Sequence, residues 1–184
     1  MSCEITSGIG IAACKVGVAG IKTLWLGNYA DFKTGITQDP TTELIDSLPE
    51  ATIFRFDLSR ATGQAMETVT AGADNESVFM DQKISVQFSA LSQAKRNIIN
   101  SLIKGRWVAF VELANGKIQL YGQNEGLDCV GGSADSGKAK ADFVGYKLDF
   151  TGQEADPAST LENYTSTPFD NYVDITVSAT QATA

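Results

Sequence analysis

The sequence predicts a mainly β fold: a β-sandwich or partial barrel of long antiparallel strands with one α-helix packed on it. Three observations carry this. Apolar residues alternate with period two over most of the chain, one stretch alone switches to helical spacing, and Gly-rich or Asn-Gly turns separate the alternating runs. The chain has 184 residues, 43% of them hydrophobic. That is the length of one domain, and it is enough to bury a core without covalent staples.

The first strand is Ile21 to Leu26, which carries Trp25. Further on, Phe54, Phe56 and Leu58 alternate with Arg55 and Asp57, and Ala65 to Ala71 alternates more weakly. Gly72-Ala73-Asp74-Asn75 is turn chemistry. The clearest run follows, from Ser77 to Phe88. Val78, Met80, Ile84, Val86 and Phe88 share one face with Gln82, and the other face is polar apart from Phe79. Residues 51–88 therefore read as long antiparallel strands joined by polar turns.

Between Leu91 and Lys104 the apolar residues fall at helical spacing, with a stripe of Ile98, Ile99, Leu102 and Ile103. Ser92 suits the N-cap, Lys104 the last turn and Gly105 the C′ position, which predicts a helix over 92–104. Trp107 to Leu113 is nearly all apolar, as in a strand buried on both faces. Asn115-Gly116 is a hairpin turn leading into Lys117 to Tyr121. A flexible loop is expected over Gly131–Ala141. Phe143 to Phe150 then alternates with Val144, Tyr146, Leu148 and Phe150 inward, and Val173, Ile175 and Val177 mark a last strand.

Composition divides the chain into three parts: a glycine-rich arm (1–20), a β domain (21–152) with its helix at 92–104, and an acidic arm (153–184) with one strand. Glu154, Asp156, Glu162, Asp170 and Asp174 lie in the last part, which has no basic residue. The start shows neither a secretory leader nor a membrane span, so the cytoplasm with reduced thiols is the expected compartment.

The residues offer little for catalysis. There is no histidine, which excludes Ser-His-Asp and Cys-His chemistry and removes the commonest metal ligand. Cys3, Cys14 and Cys129 form no CxxC pattern and read as free thiols. Gly132-Ser-Ala-Asp-Ser-Gly-Lys138-Ala139 approaches a phosphate-binding loop, but Ala139 stands where the magnesium ligand Ser or Thr is needed, and a strand follows rather than a helix. Gly8-Ile9-Gly10-Ile11-Ala12-Ala13 is similar to a dinucleotide turn without the surrounding βαβ unit, so a glycine-rich arm is expected. Trp25, Trp107, Phe110 and Tyr121 sit on strands with apolar neighbours and read as core, with an aromatic ligand platform as the alternative. No cofactor, metal site or enzymatic activity is expected. A net charge of −8 argues against wrapping nucleic acid by neutralising phosphates.

Two segments go further. The run Cys3-Glu4-Ile5-Thr6-Ser7-Gly8 with Cys14-Lys15 and Gly20-Ile21-Lys22-Thr23-Leu24-Trp25-Leu26 resembles the start of small virion proteins of tailed bacteriophages. So does a later stretch: Asn115-Gly116-Lys117, Leu120-Tyr121-Gly122, Glu125-Gly126-Leu127, Gly131-Gly132 and Gly145-Tyr146-Lys147-Leu148-Asp149-Phe150-Thr151-Gly152-Gln153-Glu154. The order hairpin, helix, hairpin between them resembles the tail tube proteins, and the likeness spans residues 3–156.

The resemblance implies a subunit of homo-oligomeric rings, commonly hexameric, that stack into a hollow tube. It implies contacts with other tail proteins, passage of DNA through the lumen without sequence-specific binding, no membrane association, assembly in the host cytoplasm and residence in the virion tail. In such a barrel Asp57, Glu67, Asp81 and Lys83 are expected to face the lumen, with Asp81 or another carboxylate offsetting Lys83. The arm 1–20 and the Gly131–Ala141 loop are expected at contacts between subunits. Two other classes stay open: another virion part (tail terminator, ring adaptor or head decoration), and a β-sandwich module binding carbohydrate or a host surface.

Overall fold

The structure, a computed structural model, describes residues 8–10, 19–59, 61–72 and 77–182. The protein is mainly β, with 50% strand and 9% helix. In chain order the elements are β1 (Ile21–Asn28), α1 (Tyr29–Phe32), β2 (Thr37–Gln38), β3 (Ile45–Ser47), β4 (Ala51–Asp57), β5 (Gly63–Gly72), β6 (Ser77–Ser89), α2 (Gln93–Leu102), β7 (Arg106–Leu113), β8 (Ile118–Tyr121), β9 (Leu127–Asp135), β10 (Gly145–Glu154), β11 (Ser159–Thr160) and β12 (Ile175–Ser178).

One large sheet runs in the order β12-β4-β1-β7-β9-β10-β6-β5, and β8 and β11 branch from β7. Every pairing in it is antiparallel except β12 with β4. The sheet is buried on both sides at its centre, where Val108, Ala109, Phe110 and Val111 of β7 are all fully buried, as their unbroken apolar run predicts. Trp25, Ile53, Val108, Phe110 and Leu120 face one core. Leu24, Leu26, Ala109, Val111, Ile84, Val86, Leu148 and Phe150 face the other. Phe56 meets Phe88 with ring centroids 5.7 Å apart, and a Cβ at Gly63 would stand 3.3 Å from the Cβ of Ile21. The β5 end of the sheet thus curls back toward β1 around the second core. This is a partial barrel on one side and a sandwich-like layer on the other.

The alternation in Ser77–Phe88 is realised as β6, with Gln82, Ile84 and Val86 buried. Neighbours the sequence did not suggest account for the differences. Strand β4 pairs with β1 and not with β5, so residues 51–88 are not a simple meander. Its Ala51 and Ile53 enter the first core and Phe56 the second, which leaves Phe54 exposed. The expected loop at Gly131–Ala141 is strand as far as Asp135, because Gly131 to Asp135 pair with β10. Glycine is required there for contact: a Cβ at Gly132 would lie 2.6 Å from the Lys147 carbonyl oxygen. The last strand starts later than expected, leaving Val173 92% exposed, and the acidic arm gives Leu161, Phe169 and Tyr172 to the first core.

The helix is two residues shorter at its end than predicted. Ser92 caps it by accepting the Lys95 amide at 3.3 Å. Gly105 does not serve as a left-handed C′ residue. It is small because the Trp107 indole lies against it, and a Cβ there would be 2.5 Å from the ring. That indole donates to the Leu102 carbonyl at 2.8 Å, tying the helix end to β7.

Candidate assembly surface

Four strands, β9, β10, β6 and β5, form a lobe that extends past the rest of the sheet. Strand β6 is 13 residues long and pairs along almost its whole length with β5 on one side and β10 on the other. Among the described residues no strand pairs with the outer edge of β5. Its register with β6 is unbroken over ten residues, with no bulge, proline or lysine of the kind that protects an edge. At the opposite side, β9 touches β7 only through Leu127 and Asp128. Among the described residues it pairs from Cys129 to Asp135 with β10 alone, and the register shift places Val130 outside the ladder. The lobe therefore has two free edges, and an exposed valine lies at each: Val69 and Val130, both 62% exposed.

The two faces of the lobe differ. One packs on the second core. The register sets Asp81, Lys83, Ser85 and Gln87 of β6 beside Lys147, Asp149, Thr151 and Gln153 of β10 on the other face. Thr68 pairs with Asp81 and Met66 with Lys83, and Ser133 pairs with Lys147, which extends this face onto β5 and β9. Asp128 and Asp135 join it by the same register. Four aspartates thus share it with two lysines. A shallow trough of about 460 Å³ crosses it over the small side chains of Ser85, Gly132 and Ser133. Lys83 Nζ lies 3.2 Å from Asp149 Oδ2, so the expected carboxylate beside Lys83 is present and comes from the neighbouring strand. The Ser85 hydroxyl, with Lys83 behind it, holds the Asp149 carboxyl below the usual carboxylate range.

Of the four residues expected on a common lumen surface, only Asp81 and Lys83 share this face. Glu67 is across from Gln82 on the opposite face, where its Oε1 accepts from Gln82 Nε2 at 2.9 Å and from the Ala158 amide at 2.7 Å. Asp57 is on β4, facing the first-core side, and its carboxylate takes Arg55 Nε at 2.8 Å and Gln181 Nε2 at 2.6 Å. Alternation within one strand gives neither the register of β5 on β6, which sets Glu67 opposite Gln82, nor the pairing of β4 with β1, which carries Asp57 away, and this is why the sequence grouped the four together.

The helix stripe also splits. Ile99 and Leu102 pack on the second core, while Ile98 (38% exposed) and Ile103 (52% exposed) face outward. Trp25, Phe110 and Tyr121 are buried and Trp107 packs partly buried against the second core, so the four aromatics form no exposed platform. The phosphate-loop look-alike is occupied from within: Asp142 Oδ2 accepts the amides of Lys138 at 2.8 Å and Ala139 at 2.6 Å, and these amides hold its carboxyl low. Cys129 is a half-buried free thiol, pushed up by burial. Cys3, Cys14 and most of the 1–20 arm, including Ile11 to Val18, lie outside the described residues.

Sequence reasoning missed a second device that shapes the lobe. The buried carboxylate of Glu154 accepts the amides of Asn124, Glu125 and Gly126 at 2.9, 2.9 and 3.3 Å. It clamps the β8–β9 turn at the point where β9 leaves β7 for the lobe. The signal was present in Gly122 and Gly126, both with positive φ, which mark a turn dense in unpaired amides. Compared with known proteins, the chain matches no family model, no curated protein and no solved structure.

Proposed function

We infer that this chain is a structural subunit of the tail-tube type, assembling into rings whose channel conducts DNA within a virion tail. The observation that carries the reading is the pair of free edges on the four-stranded lobe. Successive strands β9, β10, β6 and β5 are all antiparallel, so β5 and β9 run in opposite senses. Copies related by rotation about an axis along the strands present β5 of one to β9 of the next in antiparallel order. Such pairing continues the sheet from copy to copy, and closing the ring removes both free edges of the lobe. The polar face then lines the channel. Its aspartates outnumber its lysines, and Asp149 offsets Lys83, so a polyanion slides past it without being held.

The test is negative-stain microscopy and sedimentation of the purified protein, compared with Val69→Lys and Val130→Lys. The reading expects rings or tubes from the natural sequence, and folded monomers from either variant. A natural chain that stays monomeric at all concentrations, or variants that form the same rings, would sink it.

A further inference from the structure

The two sides of the central sheet carry opposite charge. Between Asp81 and Glu112 there is no acidic residue, and this stretch holds five of the chain's 14 basic residues. It includes α2, which covers the second core. On its outward surface Arg96, Lys104 and Ile103 are exposed, whereas Ile98 lies on the opposite flank of the buried Ile99–Leu102 stripe. Arg106, by contrast, is already committed to Asp128 and to the Tyr29 ring.

The layer over the first core is the reverse. Arg55 at its margin is paired with Asp57, and residues 34–54 and 155–184, which build the layer, contain no basic residue. They are bound together: β12 pairs with β4, the Glu162 amide donates to the Ile45 carbonyl, and the Ala51 amide donates to the Asp174 carbonyl. This brings Glu50 and Asp174 to one place, with Val173 almost fully exposed between them and Glu43, Asp46 and Glu162 exposed on the same layer.

Each patch sets one exposed apolar residue, Ile103 or Val173, beside exposed charges, and the charges are opposite. The patches lie on opposite sides of the sheet, so they cannot meet within one molecule. We propose that the outward face of α2 docks on the Glu50–Val173–Asp174 patch of a second copy, head to tail. Ile103 meets Val173, and Arg96 and Lys104 meet Glu50 and Asp174. This contact rests on the self-assembly reading and is separate from the β5–β9 edges. A head-to-tail contact also suits a chain built for rings or stacks, because it propagates where a two-fold contact stops at a dimer. Opposite charge favours the correct partner face and sets the rate of encounter.

A charge swap tests it. Reversal on the helix (R96E/K104E) leaves both patches acidic, and reversal on the layer (E50K/D174K) leaves both basic. All four residues are exposed, so each variant should keep the circular dichroism and melting profile of the natural chain. Sedimentation should show each variant alone assembling at concentrations raised roughly tenfold or more, as like charges facing each other demand. The two variants mixed should recover assembly, because each reversed helix then finds a reversed layer. Salt raised from about 50 to 500 mM should weaken the natural assembly and leave Ile103→Ser defective at every salt concentration. If the natural chain assembles and the charge-reversed variants assemble equally well, the contact is wrong while self-assembly stands. If mixing restores nothing, the pairing of these two patches is wrong. If the natural chain never assembles, both readings fall together.

Discussion

Gln82 and Glu67 meet inside the curl of the sheet: Gln82 Nε2 donates to Glu67 Oε1 at 2.9 Å, across the β6–β5 pair. The amide oxygen of Gln82 accepts the Gly122 N–H at 2.8 Å, and the same Glu67 oxygen takes the Ala158 N–H at 2.7 Å. One polar residue on an apolar face thereby joins the long hairpin, the β8–β9 turn and the start of the C-terminal segment. Gln82→Leu fits the face by hydropathy but leaves the Gly122 amide unpaired and strips Glu67 of a donor. Urea unfolding should show a loss of about 2–4 kcal/mol; a neutral result would show that water replaces the amide.

The helix separates two adjacent residues of the same type. Ile99→Asp places a carboxylate against the second core and should lower stability by about 2–4 kcal/mol in urea melts. Ile98→Asp should change it by no more than about 0.5 kcal/mol. Equal losses would mean that the helix is rotated from the position described.

Gly145 tolerates no side chain. Its φ is +156°, and a Cβ would stand 2.1 Å from the Phe88 carbonyl oxygen in the facing strand. Gly145→Ala should force β10 away from β6 and cost about 2–4 kcal/mol, read as a lower Tm. Gly131→Ala serves as the control, because a Cβ there meets nothing closer than 3.8 Å.

Stability should fall at alkaline pH in a defined window. Burial pushes the phenols of Tyr121 and Tyr172 up to about 12, from 10.0 when exposed. Both stay neutral in the folded protein while the unfolded chain ionises. Their contribution is complete below pH 10 and is lost as pH rises through 12. Melting temperatures measured from pH 8 to 12 should drop within this window, and Tyr121→Phe should shallow the drop. A fall completed below pH 10 would implicate other groups.

How far the sequence revealed this fold depends on the range of each interaction. Ser77–Phe88 was legible because period two is a local property and its partners on both sides extend to the same length. The Asn115-Gly116 hairpin was legible because the turn itself sets the register, and Gly116 adopts the expected positive φ of 82°. Strand β9 was hidden because its glycines read as loop residues, and only the Lys147 carbonyl 2.6 Å from a Cβ at Gly132 explains them. The same limit applies to the surface. Asp81 and Lys83 could be placed together because they share a strand, whereas Asp149 reaches Lys83 through a pairing between residues 66 positions apart. The grouping of Glu67 with them failed because the β5–β6 register sets it opposite Gln82, and that of Asp57 because β4 pairs with β1.

The parallel pairing of β12 with β4 gives the molecule a schedule. Trp25, Ile53 and Phe110 are made first, and Phe169 and Tyr172, which pack beside them, follow Phe110 by 59 positions or more. At roughly 5–20 residues per second, the interval between Trp25 and Phe169 is on the order of 10–30 s. Throughout it the first core has no lid. The acidic layer is therefore finished only once Phe169 and Tyr172 have emerged, and a chain that stops short of them cannot present that surface to its neighbours.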